Sequence, residues 1–245
     1  MRQVRVASVS HESDESVTRV DPKTGAAEHH LSIERTARYW TLGNAESAEE
    51  VWIVLHGYKQ LARRFMRRFT PIDDGRRFIV APEALSRFYV SPSEGRHGVA
   101  SVVGATWMTR EDRLNEIRDY VSYLDRLAAH VDALTGDVPL TIVGFSQGVA
   151  TATRWTVHGS TLPARLILWG DFSPPDLDLE LAGRRLAAVD VVMVRGAEDP
   201  ALTPRLAQEE TERLESAGIH YRTVSYSGGH DIDADTLVAL AGEPR

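Results

Sequence analysis

An α/β fold, with a mostly parallel central sheet and helices on both faces, follows from two features of the chain. From Val51 onward, short apolar runs alternate with amphipathic segments. That is the pattern of strands buried on both sides and joined by helices. The 245 residues are also 42% hydrophobic and 26% charged, enough for one substantial core in a single domain over 1–245.

The elements can be justified in order. Val4, Val6 and Val9 suggest a short first strand, and the polar stretch 10–28, with Asp21-Pro22 and Gly25, reads as turn or loop. Residues 30–42 alternate in part (Leu31, Ile33, then Tyr39-Trp40) and suggest one or two antiparallel strands. Six apolar runs follow as strand candidates: 51–55, 78–81, 140–144, 166–169, 189–194 and 221–226. Helices are expected near 60–69, 110–134, 147–158, 203–217 and 233–241. In the second of these, Leu114, Ile117, Val121, Leu124, Leu127 and Val131 recur at helical spacing. Residues 85–109 lack clear periodicity and read either as a lid or pocket loop or as simple packing against the sheet edge. Phe88, Trp107 and Met108 are its candidate pocket residues, joined by Phe172 after a later strand.

Composition narrows the function. There are 35 acidic and 28 basic residues, a formal net charge of -7. Such a chain has no general electrostatic reason to bind nucleic acid. It contains no cysteine, which removes disulfides, thiolate nucleophiles and thiolate zinc ligands. Met1–His11 lacks the apolar stretch of a signal peptide. No apolar run approaches the ~20 residues that span a bilayer. A cytoplasmic protein without stable membrane insertion, either a monomer or a homodimer, is the expectation. His29 and His30 adjoin, but neighbours on a strand point to opposite faces, so no metal site is expected.

The chemistry begins at Gly144-Phe145-Ser146-Gln147-Gly148, after the run Leu140–Val143. In G-x-S-x-G the serine sits on a sharp strand-to-helix turn, where flanking side chains would collide with backbone. The turn lifts the hydroxyl from the sheet and sets it at a helix N-terminus, whose positive end favours a developing oxyanion. Ser146 is therefore the candidate nucleophile, and the amide of Gln147 a candidate oxyanion donor. An N-cap role is the competing reading.

A serine hydroxyl needs a base, and around such a turn the chain order is Ser, acid, His. His158, His220 and His230 follow Ser146. His158 lies too far along the helix, and His220 stands at the wrong end of the last strand. His230 comes just after that strand, behind Gly228-Gly229, and is the candidate base. The acid should follow a late strand. Asp199, in Gly196-Ala197-Glu198-Asp199-Pro200, is the choice, with Asp171 as rival and Glu198 as its neighbour. The early run ends in His56-Gly57-Tyr58-Lys59, where the Tyr58 amide would be the second oxyanion donor.

These residues resemble a known family. Leu55-His56-Gly57, Gly144-Phe145-Ser146-Gln147-Gly148, Gly196-Ala197-Glu198-Asp199-Pro200 and Gly229-His230 are similar to the phospholipase/carboxylesterase family of the α/β-hydrolase superfamily, which includes the acyl-protein thioesterases. Ala81-Pro82-Glu83-Ala84, Trp107-Met108 and Arg110-Glu111-Asp112 resemble its middle region. The likeness covers about residues 50–232. It implies the α/β-hydrolase fold and cofactor-free hydrolysis of a small-molecule ester or thioester through Ser146, Asp199 and His230. Tyr58 and Gln147 would hold the oxyanion. The chain departs at Val149, where the family has a second glycine, and at Lys59–Arg64, where its loop is Gly- and Asp-rich.

Two other readings share these residues: an amidase or peptidase, and a non-catalytic binding protein. Arg63, Arg64, Arg67 and Arg68 form a basic cluster, read either as a solvated helix face or as an attractor for an anionic substrate.

Overall fold

The computed structural model describes residues 20–90 and 96–243. Its contacts divide the chain into two units, 1–36 and 37–245. Val4, Val6 and Val9 lie outside the described residues. Among the described residues of the first unit, one bridge joins Val20 to Ala27. Between them Asp21 Oδ1 accepts from the amides of Lys23 and Thr24 at 2.7 and 3.2 Å, the turn expected from Asp21-Pro22.

The second unit carries seven strands in one sheet: β1 (Tyr39–Leu42), β2 (Glu50–Leu55), β3 (Arg77–Pro82), β6 (Leu140–Phe145), β7 (Arg165–Trp169), β8 (Asp190–Gly196) and β9 (Arg222–Tyr226). The spatial order is β1-β3-β2-β6-β7-β8-β9. β1 runs antiparallel to β3 and the remaining pairs are parallel. All six expected strands are present. The antiparallel expectation over 30–42 holds only for its last four residues.

Parallel strands need crossovers, and helices supply them. These are α1 (Ala62–Met66), continued by a 3-10 turn (Arg67–Ile72), α2 (Arg113–Thr135), α3 (Gln147–His158), α4 (Leu179–Leu186) and α5 (Pro204–Ser216); α6 (Ala234–Gly242) follows the last strand. Along β2 the side chains alternate between two cores. Val51, Ile53 and Leu55 join a cluster with Tyr120 and Leu124 of α2 and Trp155 of α3. Trp52 and Val54 join one with Phe65 of α1, Phe69, and Leu237 and Leu240 of α6. Burial on both sides explains why these strands read as unbroken apolar runs.

The segment 85–109 is not wholly loop. β4 (Ser86–Tyr89) and β5 (Val103–Thr106) pair antiparallel as a separate two-stranded sheet. β4 alternates half-buried and exposed residues, and too few of them are apolar to announce a strand. α4 was also unforeseen. It is short, and its signal is the Asp178 N-cap, whose carboxylate accepts from Leu181 N–H at 2.9 Å.

Candidate active site

Ser146 stands between β6 and α3 with φ 53° and ψ −122°. Only Lys59 and Asp112 among the other described non-glycine residues have positive φ, so the chain holds this serine in a conformation most side chains avoid. The flanking glycines explain how. A Cβ on Gly144 would lie 2.4 Å from Gly148 O, and one on Gly148 would lie 2.3 Å from Leu55 O. The N-terminus of α3 thus sits directly on the carboxyl end of β2. Ser146 N–H donates to Trp169 O at 2.9 Å, which fixes the turn to β7.

His230 and Asp199 meet. Imidazole Nδ1 lies 2.7 Å from Asp199 Oδ2, and Asp199 Oδ1 accepts from Ala201 N–H at 3.0 Å. A carboxylate oxygen accepts in this pair, so Nδ1 is the donor. The two loops are stitched together. Ala197 N–H donates to Tyr226 O and Glu198 N–H to Gly228 O, both at 2.9 Å. A Cβ on Gly196 would strike Gly228 O and Gly229 O, each at 2.5 Å. From below, Trp169 Nε1 donates to Asp231 O at 3.0 Å and the Tyr226 hydroxyl to Gly229 O at 2.7 Å.

His230 also packs on the residue beside the serine. Its ring centroid lies 5.0 Å from that of Phe145, which in turn stacks on Phe65 of α1 at 5.8 Å. Ser146 Oγ makes no hydrogen bond among the described residues. Asp171, the rival acid, follows β7 and accepts from Phe172 N–H at 2.8 Å. Burial pushes its carboxyl above the usual range, and it makes no hydrogen bond to His230. Glu198 is exposed.

Tyr58 and Gln147 stand at the carboxyl ends of β2 and β6, and neither amide has a partner among the described residues. The Tyr58 side chain is half-exposed and stacks on Phe88 at 5.5 Å. The Gln147 side chain has a use the sequence did not announce. Its Oε1 accepts from Trp107 N–H at 3.1 Å, and its Nε2 donates to Met108 O at 2.9 Å. This bolts α3 to the segment after β5. Phe172 packs under the Arg195 guanidinium at 5.1 Å, and Met108 packs part-buried against the core.

Trp107 requires a correction. It was expected in a pocket wall, but it is 3% exposed and belongs to the core. Its indole N–H donates to His56 O at 2.8 Å and its ring packs on the His56 imidazole at 5.1 Å. An indole with a buried acceptor for its N–H is better satisfied inside than at a wet wall.

His56 completes this lock. Its Nδ1 donates to Gly57 O at 2.8 Å, and its Nε2 accepts from Ala84 N–H at 3.1 Å. That pattern requires the neutral ring. Burial lowers its pKa from 6.5 to about 4. Between those values the unfolded chain binds the extra proton and the folded chain does not, so stability rises with pH. The contribution of this group is complete above pH 6.5 and is lost as pH falls toward 4, amounting to about 3 kcal/mol. Urea midpoints at neutral and mildly acid pH should show this slope, and His56→Gln should flatten it. An unchanged slope in the variant would refute the assignment.

A cavity of about 570 Å³ opens at the other edge of the sheet, lined by Glu50 and Arg77 at the starts of β2 and β3 and by Ala241 near the end of α6. It is remote from the carboxyl ends that carry Ser146, Asp199 and His230.

Comparison with known proteins agrees with this architecture. Esterase PE8 is 22% identical with a TM-score of 0.62, covering 84% of this chain and 97% of that one. The chain has the α/β-hydrolase fold. Zea mays acyl-protein thioesterase 2 is 16% identical, with a TM-score of 0.61 over 84% of this chain and 100% of that one. A phospholipase/carboxylesterase from Dyadobacter fermentans is 16% identical, with a TM-score of 0.57 over 86% and 98%. No family model and no curated protein matches the sequence. In open α/β sheets, ligand sites lie outside the carboxyl ends of the strands. No described helix is long and apolar enough to cross a membrane.

Proposed function

We propose that the protein is a serine hydrolase that cleaves small-molecule carboxylic esters or thioesters without a cofactor. The observation that carries this reading is the 2.7 Å hydrogen bond from His230 Nδ1 to Asp199, on loops that converge at the edge where Ser146 is held at positive φ.

In the proposed reaction, His230 Nε2 takes the Ser146 proton as Oγ attacks the substrate carbonyl. The new oxyanion is held by the amides of Tyr58 and Gln147. Asp199 stabilises the imidazolium, which then protonates the leaving alcohol or thiol as its bond to the acyl carbon breaks. Water attacks the acyl-serine by the same route in reverse and releases the acid. The strained backbone at Ser146 and the two amides act before any substrate arrives, so no reorganisation is needed as charge develops.

The test is covalent. A fluorophosphonate probe should label the wild-type chain and leave Ser146→Ala unlabelled, and the wild type should turn over 4-nitrophenyl acetate. A labelled Ser146→Ala protein would point to another nucleophile. A wild type that neither labels nor turns over the ester would end the hydrolase reading.

A further inference from the structure

The segment that follows β2 carries a concentration of positive charge that the rest of the chain opposes. Between Glu50 and Asp73 there is no acidic residue, while Lys59, Arg63, Arg64, Arg67 and Arg68 all occur. The whole chain has a net charge of -7, so this is a local reversal of sign. The structure separates the two faces of the segment. Ala62, Phe65, Met66 and Phe69 are buried, and the four arginines are exposed on the opposite side.

Three contacts fix where this segment lies. Arg68 pairs with Asp231, the residue after His230, at 2.8 Å. Phe65 stacks on Phe145, which packs on His230. Lys59 lies over the ring of Tyr58 at 5.2 Å. The segment therefore borders the candidate site on the side of both the His230 loop and the Tyr58 loop. Asp231, the acid nearest to His230 in sequence, is taken by Arg68. Arg63 lies over the ring of Trp40 at 5.9 Å. Among the described residues no carboxylate pairs with Lys59, Arg63, Arg64 or Arg67.

We propose that this rim selects esters or thioesters that carry an anionic group, a carboxylate or a phosphate, outside the bond that is cut. The proposal rests on the hydrolase reading and names its substrate class. Cations clustered at the mouth of a site raise the local concentration of an anion and its rate of encounter. Guanidinium groups suit both carboxylate and phosphate oxygens. Such an effect is screened by salt, because the Debye length is only about 8 Å at physiological ionic strength.

Two substrate pairs test it and separate the sources of charge. The first compares the mono-4-nitrophenyl ester of succinic acid with 4-nitrophenyl butyrate, for a carboxylate on the acyl side. The second compares acetyl-coenzyme A with S-acetylpantetheine, for phosphates on the thiol side. In at least one pair, kcat/KM for the anionic member should exceed that of the neutral one by about fivefold or more at low salt. The ratio should fall toward one at high salt and in the double variant Arg64→Gln, Arg67→Gln. A carboxylate source is marked by the first pair, a phosphate source by the second. The inference is overturned if the neutral member is equal or better in both pairs, or if the preference survives the double variant. If none of the four compounds is hydrolysed, the hydrolase reading falls and takes this one with it.

Discussion

Asp199→Asn should lower kcat for 4-nitrophenyl acetate by about 10⁴-fold and change KM little. The reason lies in one proton. In the wild type, Asp199 accepts from His230 Nδ1 at 2.7 Å, which keeps Nε2 free to receive the serine proton. An asparagine amide can donate to Nδ1 instead. The ring then carries its proton on Nε2, where it cannot act as a base. The imidazolium formed in the reaction also loses its countercharge. Together these amount to about 5.5 kcal/mol of barrier. Asp171→Asn is the informative companion, because its carboxylate is engaged by Phe172 N–H and does not bond His230. Its effect on kcat should stay within about tenfold. A reversal of the two, with Asp171→Asn the crippled variant, would show that the acid has been misassigned.

Gly148→Ala should be among the most damaging single methyl additions. The new Cβ would lie 2.3 Å from Leu55 O, 2.9 Å from Leu55 C and 3.0 Å from His56 O. All three are backbone atoms of β2 and the loop after it, so no flexible side chain can swing aside. Either β2 or the start of α3 has to move. Overpacking of this kind costs about 3 kcal/mol or more, read as a lower urea midpoint with an unchanged slope. Movement of α3 would also draw the Gln147 amide away from that of Tyr58, so activity should fall beyond what the lost stability explains. Gly229→Ala is the control for stability. Nothing lies within 4 Å of its Cβ position, and its urea midpoint should stay close to wild type. Equal midpoints for Gly148→Ala and wild type would mean that α3 does not rest on β2 as described.

Much of this site could be read from the chain because its chemistry is local in sequence. The strand of β6 and the glycines around Ser146 each state a backbone requirement. The acid could not be decided in that way. Asp171 and Asp199 both follow strands, and the choice depends on how the loops after β8 and β9 are sewn together by Ala197, Glu198 and Gly196. Trp107 was misplaced for a related reason: a tryptophan in a stretch without periodicity looks available, and only the buried carbonyl of His56 explains why it turns inward. The β4–β5 hairpin escaped because Arg87 and Tyr89 face outward and break the apolar signal. The contact of Phe145 with His230 joins residues 85 positions apart, a distance across which side-chain spacing carries no information.

The strand order has a consequence for where failure begins. β6, bearing Ser146, lies mid-sheet between β2 and β7, whereas β9, which leads into His230, is hydrogen-bonded only to β8 and is half-exposed along its length. Outer strands open more readily than inner ones. In the proposed mechanism the proton acceptor therefore hangs from the selvage of the fabric while the hydroxyl it serves is woven into the middle. Fraying at that hem would disable the machinery while most of the cloth remained whole.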